Sequence, residues 1–161
     1  MIFVTIGSMF PFDRMIRAMD AWAGSAGAGE EVLAQIGAGA YEPAHMVWVR
    51  KLDRPAYADA IRRSRLVVAH AGVGSIVTAG EIGRPIVVLP RRAHLGEHTS
   101  DHQVETVGWL RAKPWVHVAD DETGLPGCIA AAGRAVVEEG RVAGTADPAF
   151  IARLRGFIAG R

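Results

Sequence analysis

The chain has one cysteine, Cys128, among 161 residues. An internal disulfide is therefore excluded, and the usage fits a reducing compartment. No apolar run approaches the roughly 18 residues that a membrane span needs. The opening MIFVTIGS lacks the basic n-region and long apolar core of a secretion signal, and reads as a strand. An excess of one charge is missing too: 18 Lys+Arg against 17 Asp+Glu leave a formal net charge of +1. There is thus no electrostatic case for nucleic acid as the partner. A cytoplasmic chain is expected, and contact with a membrane would need something else to hold it there. Several catalytic signatures are also absent: no GKS or GKT closes a phosphate loop, and no GxGxxG, HExxH or GxSxG occurs.

What is present is alternation. Half the residues are apolar and 22% are charged, a balance suited to one soluble domain over 1–161. Short apolar runs predict strands at Ile2–Ile6, Glu31–Ile36, His45–Val49, Leu66–Ala69, Ile86–Leu89 and Trp115–Val118. Between them, helical spacing predicts helices over Phe12–Ala23, Arg54–Arg63, Val73–Ile82 and His98–Arg111, with two more near Pro126–Glu139 and Asp147–Ala159. Strands alternating with helices imply an α/β fold: a Rossmann-like parallel sheet with helices on both faces. Such sheets bind ligands at the carboxyl ends of their strands. Three loops meet there: Gly7-Ser8, the HAGVGS of residues 70–75, and PRRAHLGEHTSDHQVET of 90–106.

In the second loop, Gly72, Gly74 and Ser75 lie between a strand and a helix, where bare backbone and the helix dipole favour a phosphate. A tight turn needing positive φ accounts for the same glycines equally well. The third loop carries Arg91, Arg92, His94, Glu97, His98, Asp101, His102 and Gln103. His98 and His102 would share a helix face, but the order E-H-x-x-D-H is not a zinc-protease arrangement, and no metal site is expected. Glu97 beside His98 leaves acid–base chemistry open. The tandem arginines suit a bidentate anion contact or plain solvation.

FVTIGS…PFDRMIRAMDAWA, VVAHAGVGSI…EIGRPIVVLPRR and LGEHTSDHQVET together resemble the glycosyltransferase family 28 C-terminal domain, most closely the small PssE-type subunits of exopolysaccharide synthesis. The resemblance covers about two-thirds of the chain. It implies the donor half of a GT-B glycosyltransferase similar to MurG-type enzymes, a UDP-sugar as substrate, and no metal or other cofactor. It further implies a lipid-linked saccharide acceptor and a membrane-anchored partner subunit supplying the acceptor site and the general base.

Carried over by position, Gly7, Ser8, His70, Gly72, Gly74 and Ser75 face the diphosphate, and uracil is read by backbone near Lys51–Asp53. Asp101 and Gln103 fall on an Asp-x-Gln motif that reads the sugar, with Glu97 and His98 beside it and Arg91 or Arg92 meeting phosphate or a sugar carboxylate. UDP-glucuronate is the donor that the last contact would imply. His98 and Glu97 are the catalytic candidates on this chain. Where the family places a ribose-binding glutamate this chain has Thr78, with Glu81 one turn later. The C-terminal segment, with Phe150, Ile151, Leu154, Phe157 and Ile158 on one helix face, is expected to help dock the partner. A non-catalytic sugar-nucleotide subunit, or a free-standing hydrolase or epimerase using His98 or His102 as base, are the competing expectations.

Overall fold

The computed structural model describes residues 1–135; the predicted helix at 147–159 and its docking face lie outside the described residues. Among the described residues six strands form one sheet: β1 (Ile2–Thr5), β2 (Val32–Gln35), β3 (Val47–Val49), β4 (Leu66–His70), β5 (Ile86–Leu89) and β6 (Val116–Val118). Their order is β3-β2-β1-β4-β5-β6, and every neighbouring pair is parallel. The α-helices are α1 (Asp13–Ala23), α2 (Arg54–Arg63), α3 (Val73–Ile82), α4 (His102–Leu110) and α5 (Leu125–Ala132).

The continuous apolar runs have a direct cause. Side chains alternate between the faces of a strand, so a strand covered on both sides must be apolar at every position. In β1, Ile2 and Val4 pack with Met15, Ile16 and Met19 of α1 and Ile129 of α5 on one face. Phe3 turns to the other, among Ile61 of α2, Ile76 and Ala79 of α3, and Leu110 of α4. All of these are 5% exposed or less.

Local chemistry sets the helix ends. Asp53 caps α2 by accepting from the Ala56 N–H at 2.8 Å. Gly83 ends α3 in the left-handed conformation at φ 72°, and Pro85 follows it. Two boundaries depart clearly from expectation: the helix predicted near Pro126–Glu139 already ends at Ala132, where Gly133 caps it, and α4 starts late. The helix predicted from His98 begins only at His102, because the His98 ring and the Asp101 carboxylate bond nearby backbone N–H groups outside a helix.

The order places a switch point between β1 and β4. The chain leaves β1 toward α1 on one face and leaves β4 toward α3 on the other, so the two loops part and open a crevice.

Candidate functional site

A cavity of about 640 Å³ occupies that crevice, the scale of a small-molecule site. Four loops and Gln35 line it. The first is Gly7–Phe10 after β1, and the second is Lys51–Arg54 after β3, with Tyr57. The third gives His70, Gly74, Ser75, Thr78 and Glu81, and the fourth Arg91, His98 and Gln103.

The glycine loops meet around one imidazole. A Cβ added at Gly7 would come within 2.7 Å of the His70 ring, and one at Gly72 within 2.1 Å, whereas Gly74 faces open space. Gly7 also has φ +75°, which favours glycine on its own account. His70 Nδ1 is buried and has no partner among the described residues. Burial first, then the charge of Arg91, push its pKa down to about 4, against a pull from the Thr5 backbone, so His70 is neutral at pH 7.

Across the crevice, Tyr57 of α2 bonds its hydroxyl to Ser75 Oγ at 2.9 Å, tying α2 to the first turn of α3. Thr78 spends its hydroxyl on the Gly74 carbonyl at 2.9 Å. Glu81, one turn further, lines the cavity with no protein donor to its carboxylate among the described residues. Gln35 braces the floor: its Nε2 donates to the Gly7 carbonyl at 3.2 Å, and its Oε1 accepts the Leu52 N–H at 3.0 Å.

The polar cluster of 90–106 divides into two sets. Gln103, 3% exposed, accepts the Arg91 N–H on Oε1 at 3.1 Å, which leaves its Nε2 for the cavity. His98 Nδ1 accepts the Thr99 N–H at 2.9 Å, and its ring stacks edge-on to His102 with centroids 4.4 Å apart. Burial, then His102 and Arg91, lower the pKa of His98. With Nδ1 accepting, the neutral ring carries its proton on Nε2.

The second set is turned away from the cavity. Glu97 accepts from Arg14 Nε at 2.7 Å and Nη2 at 2.8 Å, and from the Arg92 N–H at 2.9 Å. Arg14 also donates to Glu122 at 2.7 Å, and these acidic partners raise its pKa. Asp101 accepts the Ala93 N–H at 2.8 Å, and Arg92 donates to the Asp120 carbonyl at 2.8 Å. Glu97, Asp101, Arg92 and Gly72 do not line the cavity. Arg91 does, but its guanidinium is committed to four backbone carbonyls. Of the two arginines left open for an anion or for solvation, Arg91 has its guanidinium spent on carbonyls and Arg92 lies outside the cavity.

Sequence reasoning passed over Gln35, Tyr57, Phe10 and Arg14. The one available signal was a glutamine ending the buried strand VLAQ. Among the described residues no group of three His, Cys, Asp or Glu side chains is arranged to hold a metal ion, and no helix is long and apolar enough to cross a membrane.

Residues 1–113 match the glycosyltransferase family 28 C-terminal domain. The chain belongs to that family. A search of curated proteins gave no match. Among solved structures it is similar to the glycotransferase of kitacinnamycin (TM-score 0.59, 17% identity, covering 96% of this chain and 37% of that one). It is also similar to the glycosyltransferase SnogD from Streptomyces nogalater (0.55, 19%, 98% and 43%) and to spinosyn forosaminyltransferase SpnP (0.57, 12%, 98% and 43%). At these identities the likeness concerns the fold, and the family 28 chain spans about two-fifths of each of these proteins. Its sheet corresponds to the C-terminal half of GT-B glycosyltransferases.

Proposed function

We propose that this family 28 domain binds the donor for a metal-independent glycosyl transfer from a UDP-sugar to a lipid-linked saccharide in exopolysaccharide synthesis. The observation that carries the reading is the switch-point cavity, where the Gly7 and Gly74 loops and the neutral His70 converge. In this reading Gly7, Ser8, Gly74 and Ser75 approach the diphosphate, with the α3 N-terminus behind them. The ribose diol meets Glu81, whose carboxylate is unspent where Thr78 is not. Uracil lies on the 51–53 backbone that Gln35 holds in place. Gln103 Nε2 and His98 Nε2–H face the sugar.

The acceptor hydroxyl attacks the anomeric carbon, the bond from that carbon to the UDP oxygen breaks, and UDP departs with the electron pair. Charge growing on the diphosphate is met by fixed loop N–H groups and dipoles. The acceptor proton passes to a general base on a membrane-anchored partner subunit, which also presents the acceptor at the inner face of the membrane. Supporting this division, Glu97 is bound to Arg14 and His98 has its accepting nitrogen occupied, so neither is poised as a base.

A thermal-shift panel tests the donor assignment, since a ligand of the native state raises apparent stability. UDP and UDP-sugars should stabilise the chain well above NAD, ATP and GDP-sugars; equal shifts from GDP- and UDP-sugars would overturn it. UDP-glucuronate belongs in the panel, and with the Arg91 guanidinium engaged and Arg92 outside the cavity it should show no advantage over UDP-glucose. For the partner, turnover on a lipid-linked acceptor should require both chains. Full activity from this chain alone would remove the two-subunit proposal.

A further inference from the structure

Arg91 is 2% exposed, and among the described residues no carboxylate bonds its guanidinium. Nη1 donates to the Pro11 carbonyl at 2.6 Å and the Glu97 carbonyl at 3.0 Å. Nη2 donates to the Ile6 and Phe10 carbonyls, both at 2.7 Å. Its charge also lies over the Phe12 ring, 4.7 Å from the centroid. Glu97, the acid whose charge reaches this guanidinium, gives its carboxylate to Arg14 and the Arg92 N–H. A buried cation among neutral acceptors is expensive unless nearly every donor is satisfied, and the planar fork of arginine can satisfy four at once.

The four carbonyls are not scattered. Ile6 is the residue after β1, while Phe10 and Pro11 lead into α1, so three bonds grip both ends of the loop carrying Gly7 and Ser8. The fourth holds Glu97, in the loop that leads to α4. The main chain of Arg91 works in the other direction. Its N–H fixes Gln103 Oε1 at 3.1 Å and so decides which end of that amide faces the cavity. One residue thereby joins the two halves of the cavity wall.

We propose that Arg91 is a positioning residue that sets both ends of the cavity together, holding the Gly7–Phe10 loop with its side chain and orienting Gln103 with its backbone, without bonding the ligand. The assignment of those ends rests on the nucleotide-sugar reading. The coupling itself rests on the bonds above and predicts that loosening Arg91 disturbs the first loop selectively.

The test uses Arg91→Lys and Arg91→Met, with Arg92→Ala as a control. Lysine keeps the charge but cannot reach all four carbonyls. Amide hydrogen exchange at Gly7–Phe10 should quicken at least about tenfold in Arg91→Lys, with β1, β4 and β5 as protected as in the wild type. The Kd for UDP and for a UDP-sugar, measured on folded protein, should rise about tenfold; Arg92→Ala should change neither. Exchange quickening evenly across the sheet with Kd unchanged would mean a purely structural arginine and overturn the proposal. So would an unaltered first loop.

Should both variants fail to fold, the wild type still decides. The Arg91 guanidinium N–H resonances should be slowly exchanging with or without UDP, and a large UDP-induced shift would make Arg91 a ligand contact and end the idea. If the wild type binds no UDP compound, the donor reading falls, while the loop-selective exchange continues to judge the clamp.

Discussion

His70 and Gly72 compete for the same space: a Cβ on Gly72 would lie 2.1 Å from His70 Nε2. Gly72→Ala must therefore push the buried imidazole aside, and overpacking of this kind costs about 1–3 kcal/mol. Gly74 is the contrast. Among the described residues nothing lies within 4 Å of its added Cβ, and it sits in the first turn of α3. Gly74→Ala should leave stability unchanged or raise it by up to about 1 kcal/mol, through helix propensity. It should still weaken UDP binding, because the new methyl occupies cavity space. Urea unfolding with calorimetric titration checks the pair. Undiminished UDP affinity in Gly74→Ala would remove this loop from the phosphate site.

A second expectation concerns acid. His70 has a folded pKa of about 4, against an ordinary value of 6.5. Between those limits the unfolded chain takes up a proton that the folded protein refuses. Stability is therefore fully present above pH 6.5 and is lost as pH falls toward 4. The loss assignable to His70 is on the order of 2 kcal/mol. Unfolding free energies at pH 7 and 4.5 should differ more in the wild type than in His70→Gln. Equal differences would mean that the imidazole is not held neutral.

The frame of this fold was readable because its signals are local. Both α2 and α3 begin and end as predicted, between Asp53 and Ser64 and between Gly72 and Gly83. Their caps and breakers stand next to the apolar pattern they interrupt. The strand ends moved by a residue or two at most, β4 gaining His70 and β5 unchanged, since an apolar run marks burial and not the last ladder bond. The site was less legible. Glu97 and Arg14 are 83 positions apart, and their ion pair exists only after the sheet forms. The work of Arg91 was hidden more deeply, because its partners are carbonyls, which every residue owns. For His98–Asp101 the helical period misled: Thr, Ser and Asp there favour side-chain-to-backbone bonds over a helix.

Glu97 offers a third test. Its carboxylate, 10% exposed, links Arg14 to the Arg92 backbone. In Glu97→Gln one oxygen becomes an NH₂ group facing a guanidinium, and breaking such a buried pair should cost about 3 kcal/mol. The UDP-sugar affinity of the folded fraction should hold. Normal stability with lost sugar affinity would instead put Glu97 in the cavity.

Gln103 should behave in the opposite way. Gln103→Glu keeps an acceptor for the Arg91 N–H but removes the NH₂ donor from the cavity. The folded state should survive, while a buried hydrogen bond worth about 1 kcal/mol or more is lost to the sugar. UDP-sugar affinity should then fall further than UDP affinity. Parallel losses for both ligands would show that Gln103 does not read the sugar.

The last prediction separates two roles for His98. Its Nδ1 accepts from the Thr99 N–H at 2.9 Å and more weakly from Ser100 at 3.4 Å, so the neutral ring offers a proton at Nε2 and no lone pair there. A residue in that state donates to a phosphate or sugar oxygen; it does not deprotonate an acceptor. Imidazole nitrogen shifts should report the Nε2–H tautomer at pH 7. His98→Gln, which can place an amide N–H in a similar position, should largely preserve UDP-sugar affinity and turnover in the reconstituted system. His98→Ala should lose about tenfold in affinity, the 1.4 kcal/mol of one good hydrogen bond. On acidification below its depressed pKa, Nδ1 gains a proton that opposes the Thr99 N–H, and the 98–100 turn should loosen. A ring found as the Nδ1–H tautomer, or a His98→Gln protein that binds donor normally yet turns over nothing, would restore His98 as the base.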